Sequence, residues 1–151
     1  MRFVSNFLMA LGVVALALGG VLVYKERASR GFEQRNEAFV ADFVRDFSRA
    51  WDPGAVARRL EPRLLDKLRQ PPARASRRRL AAAGPVVVAE PPRLLGYREQ
   101  DGAEIGAWEC RLRAPAGEIL LQVTLRVDET GRRVTGIRVE PPPAGKEPAT
   151  P

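Results

Sequence analysis

Residues 32–51, FEQRNEAFVADFVRDFSRAW, are the stretch that decides the fold of this chain. The large apolar side chains recur three, four or seven positions apart, which places them on one face of a helix. They are Phe32, Phe39, Val40, Phe43, Val44, Phe47 and Trp51. The opposite face carries the charged residues Glu33, Arg35, Asp42, Arg45, Asp46 and Arg49. The pattern predicts an amphipathic helix whose aromatic face packs on a sheet.

The stretch before this helix, residues 3–24, contains no charged residue. At a rise of about 1.5 Å per residue it can cross a hydrocarbon core of roughly 30 Å, so residues 1–24 are predicted to form a transmembrane signal-anchor helix. Ala15 and Ala17 have the spacing of a cleavage site, so a cleaved signal peptide is one alternative. A buried soluble helix is another. Residues 25–31 are expected to be a charged juxtamembrane collar, with Gly31 as a point for a kink or break.

Two shorter helices are predicted after the amphipathic helix. Asp52 is expected to cap the first of them, with Pro53 at its first position. Its apolar stripe continues to Gln70 and contains Pro62, which predicts a kink or two short turns. The stripe consists of Val56, Leu60, Leu64, Leu65 and Leu68. A third helix should follow Pro71-Pro72 and end at Gly84.

From residue 86 onward the apolar residues alternate with polar ones, which is typical of strands. Residues 86–99 predict an extended segment broken at Pro91-Pro92, on or near a sheet edge. Three antiparallel strands are then expected at residues 105–113, 118–128 and 133–140, joined by short turns. In the last strand, Thr135, Ile137 and Val139 should face one way and Val134, Gly136 and Arg138 the other. Residues 141–151 are expected to be a flexible proline-rich tail.

The predicted fold class is therefore α+β, with helices packed on a curved antiparallel sheet of about four strands. At this point the order of the elements and several motifs resemble the NTF2-like (cystatin-like) superfamily, in particular small bacterial membrane-anchored members. The resemblance covers residues 32–140. The matching motifs are Trp51-Asp52, Leu60 with Leu64 and Leu65, Leu80 with Gly84, and Gly131 with Gly136-Ile137. It implies a conical half-barrel whose open end holds an apolar cleft.

The orientation across the membrane has two conflicting indications. Lys25, Arg27, Arg30 and Arg35 follow the predicted span, and this excess of positive charge over the single Arg2 favours a cytoplasmic C-terminal domain. The family resemblance instead implies a domain outside the bacterial cytoplasmic membrane. We take the second as the expectation, which is a single-pass inner-membrane protein with a periplasmic domain.

The amino-acid composition limits the range of possible functions. The formal net charge is +7, mostly from scattered arginines, so a nucleic-acid partner is not expected. There is no histidine, the commonest general base near neutral pH and the commonest metal ligand. Asp42 and Asp46 are interpreted as surface ion pairs, and the lone Cys110 as a buried thiol. No cofactor, metal or catalytic residue is predicted.

Three functional hypotheses remain open. The first is a membrane-anchored, non-catalytic domain that binds a protein or helps a membrane complex to assemble, and the second is a binding module for an apolar or lipid ligand. An isomerase or dehydratase is a third. The expected apolar cleft would consist of Phe39, Phe43, Phe47, Trp51 and Trp108. Anionic lipid contact is predicted for Arg77, Arg78 and Arg79, and a homodimer could form through the sheet at Leu120 and Val134.

Overall fold

The computed structural model of the chain describes residues 2–140, with side chains from residue 24 onward. Within these residues it is an α+β structure of three α-helices and an open antiparallel sheet of five strands, which confirms the predicted class and adds one strand. The helices are α1 (Arg2–Ala50), α2 (Pro62–Arg69) and α3 (Pro71–Ala82), with a 3₁₀ turn at Ala57–Arg59. The strands are β1 (Val88–Ala89), β2 (Arg93–Gln100), β3 (Ala103–Ala114), β4 (Gly117–Asp128) and β5 (Gly131–Glu140).

The predicted membrane anchor stays a prediction. No helix in the part of the chain that the structure describes is both long and apolar enough to cross a membrane. The predicted span at residues 3–24 falls almost entirely on residues whose side chains lie outside that description. The predicted tail, residues 141–151, also lies outside the described residues.

Helix α1 carries the predicted aromatic face. The apolar side chains at its spacing of three and four are buried at Phe32, Val40, Phe43, Val44 and Phe47. The helix passes Gly31 without a break and ends at Ala50, after which Trp51 adopts a left-handed φ of 52° and turns its buried ring into the same cluster. The amphipathic helix is therefore confirmed, and the break considered at Gly31 is absent.

The sheet has the order β1-β3-β4-β5, and β2 also pairs with β3. Strands β1 and β2 lie along the same edge of β3 because Pro91-Pro92 separates them, with Val88 opposite Arg113 and Arg93 opposite Glu109. This confirms the predicted broken segment. All pairs between these strands are antiparallel.

One face of the sheet packs against α1, and we call the opposite one the outer face. The buried face carries Trp108, Cys110 and Leu112 of β3 and Ile119, Leu121, Val123 and Leu125 of β4. Directly opposite residues share a face, so the registers extend this division across the sheet. The predicted alternation in β3 and β4 is confirmed.

The predicted face of Val134 in β5 is wrong, whereas Ile137 and Arg138 lie on opposite faces as predicted. Val134 lies opposite Leu125 and is fully buried, while Ile137 lies opposite Val123 on the same face. A bulge between these pairs inserts Thr135, which reverses the alternation along the strand. Val134 is therefore part of the core and not of a surface that could form a homodimer.

The segment between α1 and β1 confirms the third helix, α3, but differs from the prediction before it. Asp52 does not cap a helix, because the next helical turn begins only at Ala57. Its carboxylate accepts a hydrogen bond from the Gly54 backbone N–H at 3.0 Å within a turn. Pro62 and Pro71 instead occupy the first positions of α2 and α3, where a missing N–H costs nothing. Before α2, the backbone N–H of Glu61 donates to the Val134 carbonyl at 2.9 Å, which ties this segment to β5.

Helix α1 contacts the sheet closely at Gly106 of β3. A Cβ atom there would overlap Cε1 of Phe32 and lie 2.9 Å from its Cζ. Phe32 is fully buried and its ring lies 5.2 Å from that of Tyr97 and 6.2 Å from that of Trp108, so it has little room to move. Glycine at position 106 therefore sets how closely the helix packs.

We predict that Gly106→Ala lowers the free energy of unfolding by about 1–3 kcal/mol, because the methyl group overfills a packed site. Chemical denaturation of the full chain measures this. Gly96→Ala in β2 is the matched control, since no other side chain lies within 4 Å of a Cβ there and alanine should be neutral or stabilise by up to about 1 kcal/mol. Equal stability of the two variants would show that Phe32 does not pack on Gly106.

Candidate functional site

The side chains predicted to line an apolar cleft form the core of the domain. Phe43, Phe47, Trp51 and Trp108 are at most 4% exposed, and Phe39 is half-buried beneath the guanidinium of Arg132, 5.8 Å from its ring centroid. The rings of Phe43 and Phe47 lie 5.8 Å apart, and Phe47 meets Trp51 edge to face at 5.7 Å. These residues fill the space between α1 and the sheet with contacts to one another.

The three arginines predicted to contact lipid have different environments. Arg77 is half-buried, and its guanidinium donates to the Trp51 carbonyl at 3.3 Å and to the Leu68 carbonyl at 3.2 Å. It thus places a positive charge at the C-terminal ends of α1 and α2, where unpaired carbonyls favour a cation. Arg78 and Arg79 are exposed on α3 and remain available for an external contact.

We predict that Arg77→Gln lowers the free energy of unfolding by about 1–2 kcal/mol, because both helix ends lose a charged donor that is only partly shielded from water. Urea denaturation of the full chain measures this loss. Arg78→Gln, the neighbouring exposed arginine, should change stability by less than about 0.5 kcal/mol. Identical unfolding of the two variants would contradict a structural role for Arg77.

Cys110 is fully buried on the core face of β3. Burial, with a smaller contribution from the nearby charge of Glu109, raises the pKa of the Cys110 thiol to about 12. The thiol therefore stays protonated at neutral pH and is a poor nucleophile. This agrees with its interpretation as a structural residue.

Native Cys110 should accordingly resist alkylation. We predict that iodoacetamide at pH 8 labels the folded chain at least about a hundredfold more slowly than the urea-unfolded chain, because both access and thiolate formation are suppressed. Intact-mass spectrometry follows the modification. Rapid labelling without denaturant would mean that β3 opens or that the thiol lies at the surface.

Carboxylates on α1 and β3 form local ion pairs. Asp42 lies 2.8 Å from Arg45, and Asp46 lies 3.0 Å from Arg59, as predicted for ion pairs on a solvated helix face. Glu109 pairs with Arg111 at 3.5 Å on the sheet. These contacts give the carboxylates a structural explanation.

A polar cluster connects α1 to the far end of β2. Arg35 pairs with Glu104 at 2.8 Å, while the Tyr97 hydroxyl lies 2.7 Å from Glu99 Oε1 and 3.1 Å from Glu104 Oε1. Burial, followed by the hydrogen bonds to Glu99 and Glu104, raises the pKa of Tyr97 above its usual value. The cluster borders a crevice of about 510 Å³ between β2 and residues 24–29 of α1. It fixes the helix against the strand.

The outer face of the sheet is not packed against α1, and many of its outward side chains are exposed. Its outward positions alternate along β2 to β5, and the registers align them into rows that cross the strands. One row, which we call the arginine row, contains Arg98, Ile105, Arg126 and Arg133 on four successive strands. The neighbouring small-residue row contains Gly96, Ala107, Thr124 and Gly136.

These two rows border a continuous depression. A pocket of about 390 Å³ is lined by all four residues of the arginine row, by Thr124 and by residues at the β5 edge. A second pocket, of about 360 Å³, shares Arg98, Ile105 and Thr124 with it and extends over Gly96 and Ala107. Because the two pockets share three lining residues, they form one furrow across the sheet.

Sequence reasoning missed the arginine row. The alternation of apolar and polar residues in 118–128 puts Arg126 opposite the apolar face, which is the one signal that the sequence offers. Its alignment with Arg98 and Arg133 depends on strand registers and on bulges in β2 and β5. Single-strand periodicity contains no information about these.

Comparison with protein-family models, curated proteins and solved structures finds no match to this chain. The site is therefore interpreted from its own geometry. Within the described residues, no three histidine, cysteine, aspartate or glutamate side chains gather in a way that could hold a metal ion. The outer face, with its furrow and its arginines, is the candidate functional site.

Proposed function

We propose that this chain is a single-pass membrane-anchored domain that binds another protein through the outer face of its sheet. The observation that carries the proposal is the asymmetry of the sheet. One face is buried under α1 with apolar side chains, and the other presents an uncovered furrow bordered by arginines. An open surface that combines a recess with charged side chains suits recognition of another macromolecule.

The proposed fold family is the NTF2-like superfamily. Three features support this assignment: a long first helix lying against the sheet, two short helices after it, and an antiparallel sheet formed by the C-terminal half. The buried Trp51 at the end of α1 and the glycine that follows the third helix, Gly84, also fit. This fold hosts many functions, so the family by itself does not identify an activity.

The proposed location is the bacterial inner membrane, with the domain in the periplasm. The apolar sequence of residues 3–24 supports the anchor. Helix α1 begins at Arg2 and continues without a break to Ala50, so the helix that supplies the core would also join the domain to the membrane. Such a connection would hold the outer face at a constant distance from the bilayer.

A module for an apolar or lipid ligand is not favoured by a specific observation. The aromatic side chains that would line its cleft are packed against each other in the core. An isomerase or dehydratase would need an acid or base inside that same region. The surface pockets instead lie on the outer face, around the β2–β3 turn and beside α1.

Site-specific crosslinking in living bacteria tests the proposed function. We predict that a photoreactive benzophenone residue at Leu120, on the outer face of β4, crosslinks the full chain to a second polypeptide in the membrane fraction. The same group at Glu37, on the exposed side of α1, should give no such adduct. Co-expression of two differently tagged copies distinguishes a homodimer from a complex with a different protein, because only a homodimer gives an adduct that carries both tags.

Two results would contradict the binding surface. Equal adducts from both positions would indicate random encounter in the membrane. The absence of an adduct at Leu120, with the chain folded and extracted only by detergent, would remove the outer face as a binding surface. Recovery of the chain in the soluble fraction would remove the anchor.

A further inference from the structure

We propose that the arginine row binds an acidic segment of the partner protein. This inference rests on the proposed function and adds the chemistry of what is bound. Its basis is the alignment of Arg98, Arg126 and Arg133 across the furrow and the lack of enough acidic partners within the described residues to neutralise them.

The spacing of the row suits several carboxylates at once. Strands in a sheet are about 4.8 Å apart, so Arg98 on β2 and Arg133 on β5 lie on backbones roughly 14 Å apart, with Arg126 between them. A guanidinium group can bind a carboxylate through two parallel hydrogen bonds. A peptide with carboxylates along its length could therefore contact all three arginines.

The charge on the row is only partly compensated within the domain. Arg126 lies 3.0 Å from Asp128, whose pKa is lowered by hydrogen bonds from Thr130 and Arg126, so this carboxylate is ionised. No carboxylate of the described residues lies within ion-pair distance of Arg98 or Arg133. Both Asp128 and Glu61 line the furrow, and Glu61 forms no ion pair with these arginines.

The strand register places two positive charges opposite each other, and the packing of the core does not require this arrangement. Arg126 and Arg133 occupy directly opposite positions on β4 and β5. Like charges at such positions destabilise a sheet. Local features that oppose stability are expected where a surface serves binding, because an incoming anion would turn this repulsion into attraction.

An acidic peptide fits this surface better than other anions do. The outward positions of β2 to β5 contain no aromatic residue, and Tyr97, which borders the second pocket, packs its ring against Phe32 on the core side. Single-stranded nucleic acid would therefore have no outward ring on which to stack its bases. The surface that carries the row is concave, whereas a bilayer is flat. Ile105 lies between Arg98 and Arg126 and offers an apolar contact to a peptide side chain.

A second copy of this chain is a poorer occupant of the same face. Stacking two outer faces on each other would bring arginines from both copies together. The C-terminal tail, PPPAGKEPATP, contains one glutamate and one lysine and is not an acidic segment. Charge complementarity therefore favours a different, acidic polypeptide.

Fluorescence anisotropy on the full chain in a neutral detergent tests this inference. The probe is a labelled peptide of alternating glutamate and alanine, with a glutamine-for-glutamate peptide as its uncharged counterpart. We expect the glutamate peptide to bind and Arg98→Gln/Arg133→Gln to weaken it by about tenfold or more, because two charge-assisted contacts are lost. Binding should also weaken as salt is added.

The matched control is Arg78→Gln/Arg79→Gln, which removes the same charge from exposed positions on α3. This variant should change the affinity by less than about twofold, since screened charges far from the furrow contribute little. Thermal unfolding checks that both double variants are folded. The furrow variant should unfold at an equal or higher temperature than the native chain, because the repulsion between Arg126 and Arg133 is removed.

The outcomes separate this inference from the proposed function. Equal weakening by the two double variants, or no peptide binding at all, would overturn the acidic-segment proposal. It would also be overturned if binding of duplex DNA or phosphatidylglycerol vesicles depends on Arg98 and Arg133 while binding of the peptide does not. If the crosslink at Leu120 forms in the membrane with or without these arginines, protein binding stands and its acidic specificity fails.

Discussion

The contact between Phe32 and Gly106 is the constraint on which the rest of the structure depends. It brings α1 onto β3 so closely that even a methyl group would collide with the ring. At this separation Phe43, Phe47 and Trp108 are almost completely removed from water, and burial of large aromatic side chains contributes strongly to stability. Helix α1 thus covers one side of the sheet with well-packed side chains and leaves the outer face uncovered.

Arginine has two different roles in this domain, and position decides between them. Arg77 donates to backbone carbonyls at two helix ends, so its charge is used within the fold. Arg98 and Arg133 are exposed on the sheet without an ion pair to any described carboxylate. The net charge of the chain therefore overstates the positive charge that is free to bind. Only exposed arginines without an ion pair to a described carboxylate, such as Arg98 and Arg133, are available to an external anion.

Sequence periodicity predicted the elements well where one chain segment determines the pattern. The aromatic face of α1 and the alternation in β3 and β4 follow from the geometry of a single helix or strand. The face of Val134 in β5 could not be predicted because the bulge at Thr135 depends on pairing with β4. The aromatic residues were also considered as a cleft, but whether such side chains line a cavity or fill it depends on how closely the helix approaches the sheet.

The sequence by itself determined the α+β class, the amphipathic helix at residues 32–51 and the apolar stretch at residues 3–24. It also showed that the helical segments are interrupted at prolines. Each of these depends on local spacing and composition, which a linear chain contains in full. The tertiary structure alone decided that Arg98, Arg126 and Arg133 align, that Arg77 caps two helices, and that Val134 is buried. These facts depend on contacts between residues far apart in the chain, whose registers and distances arise only when the sheet pairs and α1 packs on it.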